Sequence, residues 1–215
     1  MKLFSMDGKF LETFNKITDL VTLNILWLLC CIPIITIGAS TSALYQVTLQ
    51  IAENRDSYIT KEFFKAFREN FRQATIVWLA VIVTGFVLLS DMFIISHFFT
   101  GSDMSVILGL IFMILILLFA GSMYFFPVIA YFRNSTKKIF SNSFRLAFSN
   151  LRTTFQLFLI GLIPALVMIL FHERIIIGTF LLIVIVPALS VFCKSVLLSK
   201  LFKTIKVANL SLIHI

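Results

Sequence analysis

Charged residues are scarce in this chain. Only 13% of its 215 residues are Asp, Glu, Lys or Arg, while 60% are apolar, and the mean hydropathy is +1.03. Soluble globular domains contain about a quarter charged residues and about half apolar residues. The composition therefore excludes an ordinary soluble domain and predicts an integral membrane protein.

Acidic residues and cysteines are also few. Ten Asp and Glu residues stand against 18 Lys and Arg residues, which gives a net charge of +8. The basic residues lie between long apolar runs, so we expect them to meet the headgroups of a lipid bilayer, and we expect no nucleic acid as a partner. The cysteines, Cys30, Cys31 and Cys193, show neither the spacing of a disulfide framework nor that of a metal site, and no cofactor is predicted.

Catalytic motifs are missing from the sequence. It contains no nucleophile elbow, phosphate-binding loop, paired catalytic carboxylates or metal-protease helix, so we expect that the protein is not an enzyme. Asp91 is the one carboxylate well inside a predicted span, where a charge is costly. An ion or proton role and a simple interfacial anchor are both open for Asp91.

What the sequence does contain is, first, a broken apolar segment over residues 20–52. Its apolar run ends at Pro33, which removes a backbone donor, and Gly38 adds a flexible joint. We expect an unwound stretch up to Tyr45 that lines a polar cavity or contacts a partner, because lipid cannot satisfy its backbone groups. The candidate functional residues of this segment are Asn24, Pro33, Thr36, Gly38, Ser40, Thr41 and Tyr45.

Four further apolar runs are long enough to cross a bilayer. They occupy residues 75–99, 105–132, 155–171 and 175–198. With the broken or re-entrant first segment they predict an all-α, polytopic transmembrane helical bundle of five to six membrane segments in three hairpins. Amphipathic patterns predict interfacial helices on the cytoplasmic surface, over residues 1–19, 60–72 and 134–152.

Part of the chain is predicted to be an internal repeat, with copies over residues 60–132 and 140–198. Aligning Phe64 with Phe144, a separation of 80 residues, superposes their phenylalanine stripes and several basic residues, and two apolar runs follow each stripe. Both copies enter the membrane in the same direction, so the repeats are parallel.

The whole of residues 1–209 is predicted to form a single membrane domain. The last six residues, 210–215, read as translated sequencing-adapter sequence, and we expect them to carry no functional information.

Basic residues predict the orientation. Seventeen of the 18 Lys and Arg residues, including Lys194, fall on one side of the predicted topology, and Arg174 falls on the other. The positive-inside rule makes the first side cytoplasmic, together with both termini. The N-terminus shares that side if segment 20–52 goes in and comes back, as two short crossings or as a re-entrant hairpin. A single crossing with an external N-terminus is the alternative.

The predicted interfacial helices present basic side chains that we expect to meet lipid phosphates or a cytoplasmic loop of a partner. These interfacial basic residues are Lys65, Arg68, Arg72, Arg145 and Arg152.

Short motifs in the first third of the chain resemble the signature of the YesL-like family of small bacterial membrane proteins. The motifs are Asp19-Leu20, LNILW at 23–27, PIITIGAS at 33–40, ALY at 43–45, FFKAF at 63–67 and Asn70-Phe71. The resemblance implies a multi-pass protein of the bacterial plasma membrane, with no catalytic residues to assign.

This resemblance also implies a functional setting. It favours an accessory or assembly subunit of a carbohydrate ABC transport or sensing system, with ABC permease subunits, a sensor kinase or a second copy as partner. The chain lacks the Glu-Ala-Ala coupling loop of ABC permeases, so it does not resemble the pore subunit itself. A small autonomous transporter or channel is the alternative, and a membrane enzyme is the third class considered.

Overall fold

The protein is helical throughout the part of the chain that the structure describes. A computed structural model describes residues 3–55, 58–98, 102–170 and 175–213, and no β-strand occurs in them. The helices are α1 (Leu3–Cys31), α2 (Ile37–Ala52), α3 (Ile59–Phe98), α4 (Ser102–Tyr131), α5 (Thr136–Ser149), α6 (Leu151–Leu170) and α7 (Ile175–Ile213), with a 3-10 turn over Ile34–Thr36. The predicted all-α bundle is confirmed.

Several of these helices could span a membrane. Four helices contain described segments that are long and apolar enough to cross a membrane: Phe14–Cys31, Ile59–His97, Ser105–Tyr131 and Ile185–Lys206. Helices α5 and α6 count as a fifth span if they are taken together, although they are bent by 99°. Large apolar side chains remain exposed on the spans, Phe86 by 71% and Phe112 by 60%, as contact with lipid requires.

Helix α2 lies at the centre of the bundle and is too short to be counted among those spans. Its 16 residues extend about 24 Å, whereas the hydrocarbon core is about 30 Å thick. Eleven of the 16 are buried, because α1, α3, α4 and α7 all pack on it. A helix that is covered on all sides belongs to the core, and both apolar clusters of the protein include α2 residues.

The α1–α2 pair forms an antiparallel hairpin. Next to the turn, the Thr36 hydroxyl donates to the Cys30 carbonyl at 2.6 Å, and farther along, the Trp27 indole N–H donates to Thr41 Oγ1 at 3.3 Å. The chain therefore returns toward the end at which α1 begins, as the sequence predicts for its broken segment.

The break itself is shorter than predicted. It is confined to residues 32–36, and the expectations of a joint at Gly38 and of an unwound stretch up to Tyr45 are wrong, because α2 already begins at Ile37. Gly38 instead permits a close helix contact. A Cβ atom at this position would stand 2.6 Å from the Ala74 carbonyl oxygen and 2.6 Å from Trp78 Cβ.

Two of the predicted interfacial helices are not separate elements. Of the predicted helix over residues 1–19, the described part, residues 3–19, continues into the first span as part of α1, and residues 60–72 continue into the next as part of α3. The phenylalanine stripe of residues 60–72 also does not lie wholly at the lipid boundary. Phe63 is fully buried against α2, whereas Phe64 is 44% exposed. The continuity follows from this packing, since α2 holds α3 on both sides of the expected break.

Helix α5 is the predicted interfacial helix that does form separately, and it turns sharply into α6 at Asn150. Arg174 and the last two residues of the 210–215 segment lie outside the described residues.

Candidate functional site

The hydroxyl groups of the predicted functional segment serve contacts between α1 and α2. The Ser40 hydroxyl donates to the Trp27 carbonyl at 3.0 Å, and Thr41 accepts the indole N–H of the same tryptophan. Thr36 caps the end of α1 through Cys30. Each hydroxyl thus satisfies a group of the neighbouring helix, which is a packing role.

The other predicted residues do not form one site. Asn24 is fully buried, Gly38 and Tyr45 are buried too, and Pro33 is exposed at the turn. Asp91 is exposed on α3, more than three helical turns beyond Trp78, where α3 meets Gly38. The structure therefore does not bring Asp91 to the broken segment.

Where α2 ends, a buried carboxylate that sequence reasoning missed connects three helices. The Glu53 side chain is 5% exposed and lies 3.7 Å from Lys203 Nζ of α7 and 2.6 Å from the Arg55 guanidinium. The Tyr131 hydroxyl of α4 donates to it at 3.4 Å. One signal in the sequence could have pointed to this carboxylate: Glu53 is the first acidic residue after Asp19. In the structure it directly follows α2.

A second polar contact joins α2 to α7 deeper in the bundle. The hydroxyls of Thr48 and Ser195 are 2.7 Å apart, and both residues are fully buried. Such a buried hydrogen bond inside a helical bundle holds two helices in register, since no water competes for either hydroxyl.

Lys194 is one of four lysines in a segment of α7 that is long and apolar enough to cross a membrane, and it lies deeper in that segment than Lys200, Lys203 and Lys206. It falls within Ile185–Lys206, and its Nζ is 3.3 Å from the Cβ position of Gly161 on α6. Lys194 forms no ion pair or hydrogen bond with any described residue. Intramembrane cations are costly and commonly functional.

The exposed basic residues gather at one end of the molecule, here called the basic end. It is the end at which α2, α4 and α7 meet around Glu53 and at which Gln73 of α3 donates to the Asn134 carbonyl at 2.6 Å. All five predicted interfacial basic residues are exposed: Lys65, Arg68, Arg72, Arg145 and Arg152. Of these, Lys65 has an ionic neighbour, Glu62 at 3.8 Å.

A cavity of about 400 Å³, here called the junction pocket, opens at the basic end where α4, α5 and α7 meet. Its polar lining comes from Asn134, Asn142, Arg145, Ser149 and Asn150, and its apolar lining from Val128, Phe132, Leu146 and Ile205. An adjacent cavity of about 540 Å³ shares Phe132 and Asn134 with it. The lining comes from three helices, α4, α5 and α7, and from the α4–α5 and α5–α6 connections, so no single stretch of sequence reveals the pocket.

Side chains at the α5–α6 turn shape the junction pocket. Asn150 leaves helical geometry at φ −129° and ψ 56°, and its Nδ2 donates to the Leu146 carbonyl at 3.2 Å. The Thr154 hydroxyl donates to the Ala147 carbonyl at 2.9 Å and lies 2.9 Å from the Tyr124 hydroxyl. The Thr154 bond thus provides a donor for the Ala147 carbonyl in the last turn of α5, and the Asn150 amide adds a second donor to the Leu146 carbonyl, which also accepts the Asn150 backbone N–H.

Apolar helices long enough to cross a bilayer, around a short buried helix and with one basic end, define a polytopic helical membrane protein. Residues 20–92, which hold the C-terminal part of α1, all of α2 and most of α3, match the family described as "Protein of unknown function, DUF624". A relative from Bacillus subtilis (strain 168), "Uncharacterized protein YesL", is 30% identical over 158 residues, covering 71% of this chain and 73% of its own length. The chain belongs to this YesL-like, DUF624 family. No solved structure matches it.

Proposed function

We propose that this protein is an accessory or assembly subunit of a larger complex in the bacterial plasma membrane, with its basic end and both termini in the cytoplasm. The partner class follows from the resemblance of its signature motifs: permease subunits of a carbohydrate ABC transporter, or the sensor kinase of such a system. The observation that carries the proposal is the exposed face at the start of α3.

Helix α3 is much longer than a bilayer is thick. Its 40 residues extend about 60 Å, against about 30 Å of hydrocarbon. Because the apolar run begins near Ala74, the half that starts at Ile59 projects beyond the membrane at the basic end. One face of that half packs on α2 through Phe63 and Ala66, which are fully buried.

The opposite face of the projecting half has no covering element among the described residues. We name it the α3 basic face, and it consists of Phe64, Lys65, Arg68, Phe71 and Arg72. Exposed aromatic and guanidinium groups side by side are typical of the residues that dominate protein–protein affinity. In the central helix, the hydroxyls of Ser40, Thr41 and Thr48 all serve contacts with neighbouring helices, so a packed scaffold suits the bundle core better than a substrate path.

A triple substitution tests this proposal. Lys65→Gln, Arg68→Gln and Arg72→Gln together should leave the protein inserted at normal abundance but remove permease or kinase subunits that copurify from native membranes, as counted by mass spectrometry. The matched control, Lys137→Gln, Lys138→Gln and Arg152→Gln, removes three positive charges elsewhere on the basic end and should retain those subunits. Unchanged copurification with the α3 triple variant would contradict the docking role.

A small autonomous transporter is the second candidate, and specific observations favour it. Lys194 lies within a span without an ionic partner among the described residues, and Ser42 Oγ and Gln50 Oε1 of α2 are buried without a hydrogen-bond partner there. Polar groups of this kind mark ion and substrate paths in transporters. Flux of a sugar or ion into liposomes that contain the purified protein alone, abolished by Lys194→Met, would favour this alternative.

A further inference from the structure

We propose that the junction pocket is a phosphate-binding site in which the guanidinium of Arg145 pairs with the anion. This inference stands apart from the docking role of the α3 basic face, since the two involve different helices. The phosphate belongs either to a soluble organic phosphate or to a lipid headgroup, and the two sources share the chemistry that the pocket recognises.

The pocket has the size and two-sided lining of a small-molecule site. Its volume of about 400 Å³ falls within the range of about 300–1,000 Å³ that is usual for ligand pockets. Arg145, Ser149 and three asparagines supply its polar wall, while Phe132 and Leu146 contribute to the apolar one. A ligand with one charged group and a less polar remainder fits such a lining.

Most polar side chains of the pocket form no hydrogen bond or ion pair within the described part of the protein. Among the described residues, Arg145 has no carboxylate partner, and the side chains of Asn134, Asn142 and Ser149 form no hydrogen bonds. Asn150 donates to Leu146 through Nδ2, and no described group donates to its Oδ1. Polar side chains that converge on a cavity without internal partners are available to a ligand.

The charge of the pocket lining favours an anion as the ligand. The sequence contains no acidic residue between Asp103 and Glu173, a stretch that includes five basic residues, and no carboxylate lines the pocket. In the alignment of the predicted repeat, Glu62 corresponds to Asn142 and Lys65 corresponds to Arg145. Glu62 lies 3.8 Å from Lys65. Because Asn142 carries no charge, Arg145 lacks the acidic neighbour that Lys65 has.

Phosphate is the anion that matches these donors. A guanidinium presents its N–H groups in a planar fork that fits two phosphate oxygens, and charge-assisted bonds of this kind are about twice as strong as neutral ones. The amides of Asn134 and Asn142 can donate to the remaining oxygens, which a tetrahedral phosphate has and a carboxylate lacks.

The test uses the full-length protein in a phosphate-free maltoside detergent at constant ionic strength. In one arm, inorganic phosphate and glycerol 3-phosphate are titrated, and binding is followed by broadening of the 31P NMR line. In the other arm, phosphatidylglycerol is added and bound lipids are counted by native mass spectrometry. The variants are Arg145→Gln and Asn142→Glu, and the control is Arg152→Gln, an equal charge change at an exposed residue that does not line the pocket.

We expect saturable binding in at least one arm, weakened about tenfold or more by Arg145→Gln and by Asn142→Glu, with at most about a twofold change for Arg152→Gln. Loss confined to the soluble probes identifies a free phosphate as ligand, and loss confined to phosphatidylglycerol identifies a headgroup. The proposal is overturned if the wild-type protein binds in neither arm, or if Arg145→Gln matches Arg152→Gln while both retain wild-type elution and circular dichroism.

Discussion

The segment that starts near Thr60 and the segment that starts near Phe140 carry the same phenylalanine stripe, but they end differently. The first runs on as the single helix α3, whereas the second turns by 99° between α5 and α6. In the alignment of the predicted repeat, Ala74 of the straight copy stands opposite Thr154 of the bent copy. Ala74 of α3 allows α2 to approach closely at Gly38. The Thr154 hydroxyl donates a hydrogen bond to the Ala147 carbonyl at the end of α5.

This difference shows that an amphipathic stripe determines which face is buried but not whether the helix continues. In the straight copy, α2 lies across the junction, and Asn70 donates to Gln46 of α2 at 2.9 Å. In the bent copy, Asn150 at the aligned position donates to the carbonyl of its own helix. The same side chain therefore bridges two helices in one copy and ends a helix in the other.

The largest expected effect comes from breaking the contact that supports the straight copy. Gly38→Leu would force side-chain atoms into the Ala74 carbonyl and Trp78, and we expect it to lower the free energy of unfolding by about 3 kcal/mol or more. Thermal unfolding in detergent and abundance in membranes measure the effect. Gly85→Leu is the matched control, because no atom lies within 4 Å of a Cβ placed at Gly85. Equal behaviour of the two variants would contradict the close α2–α3 contact.

A smaller effect is expected from releasing the bent copy. Thr154→Ala removes the hydroxyl that reaches Ala147, Asn150 and Tyr124, and we expect a loss of about 1–2 kcal/mol. The α5–α6 angle should also become more variable. Spin labels at Lys137 and Ile163, with distances measured by pulsed electron resonance, report this angle. Thr153→Ala is the control, because the Thr153 hydroxyl forms no hydrogen bond with a described residue, and it should leave the distance distribution unchanged. If Thr154→Ala also leaves the distribution unchanged, the Thr154 hydroxyl does not hold the bend.

The smallest effect is expected at the α1–α2 hairpin beside the straight copy. Ser40→Ala with Thr41→Val removes the two hydroxyls that meet Trp27, at a cost of about 0.5 kcal/mol for each bond. If these hydroxyls serve packing alone, growth on sugars that need the partner system should remain at the wild-type level. Loss of such growth at normal membrane abundance would instead make this segment a functional centre.

The pattern of apolar residues along the sequence was sufficient to predict much of the fold. The apolar runs predicted an all-α bundle, Pro33 predicted the break after α1, and the stripe over residues 134–152 predicted the separate helix α5. The same reasoning failed at residues 60–72, because the continuity of α3 depends on Gly38 and Ala74, which meet only in the folded bundle.

The candidate sites were harder to predict for a related physical reason. Glu53 gains its importance from Tyr131 and Lys203, which are distant in sequence and show no periodic relation to it. Lys194 was placed on the cytoplasmic side by charge counting, which carries no information on its approach to Gly161 of α6. The junction pocket needs side chains from α4, α5 and α7 in one place, so it depends on tertiary packing that no local pattern specifies.

The central claim is that both basic segments lie on the cytoplasmic side, together with the N-terminus, so that the α3 basic face and the junction pocket share one compartment. Single cysteines at Lys9, Lys65, Arg145 and Ser102, in a protein with Cys30, Cys31 and Cys193 replaced by alanine, test it by labelling with a membrane-impermeant maleimide. We expect that in intact cells only the cysteine at Ser102 reacts, and that the other three react after permeabilisation. Labelling at Lys65 but not at Arg145 in intact cells, or at Lys9 together with Ser102, would contradict it.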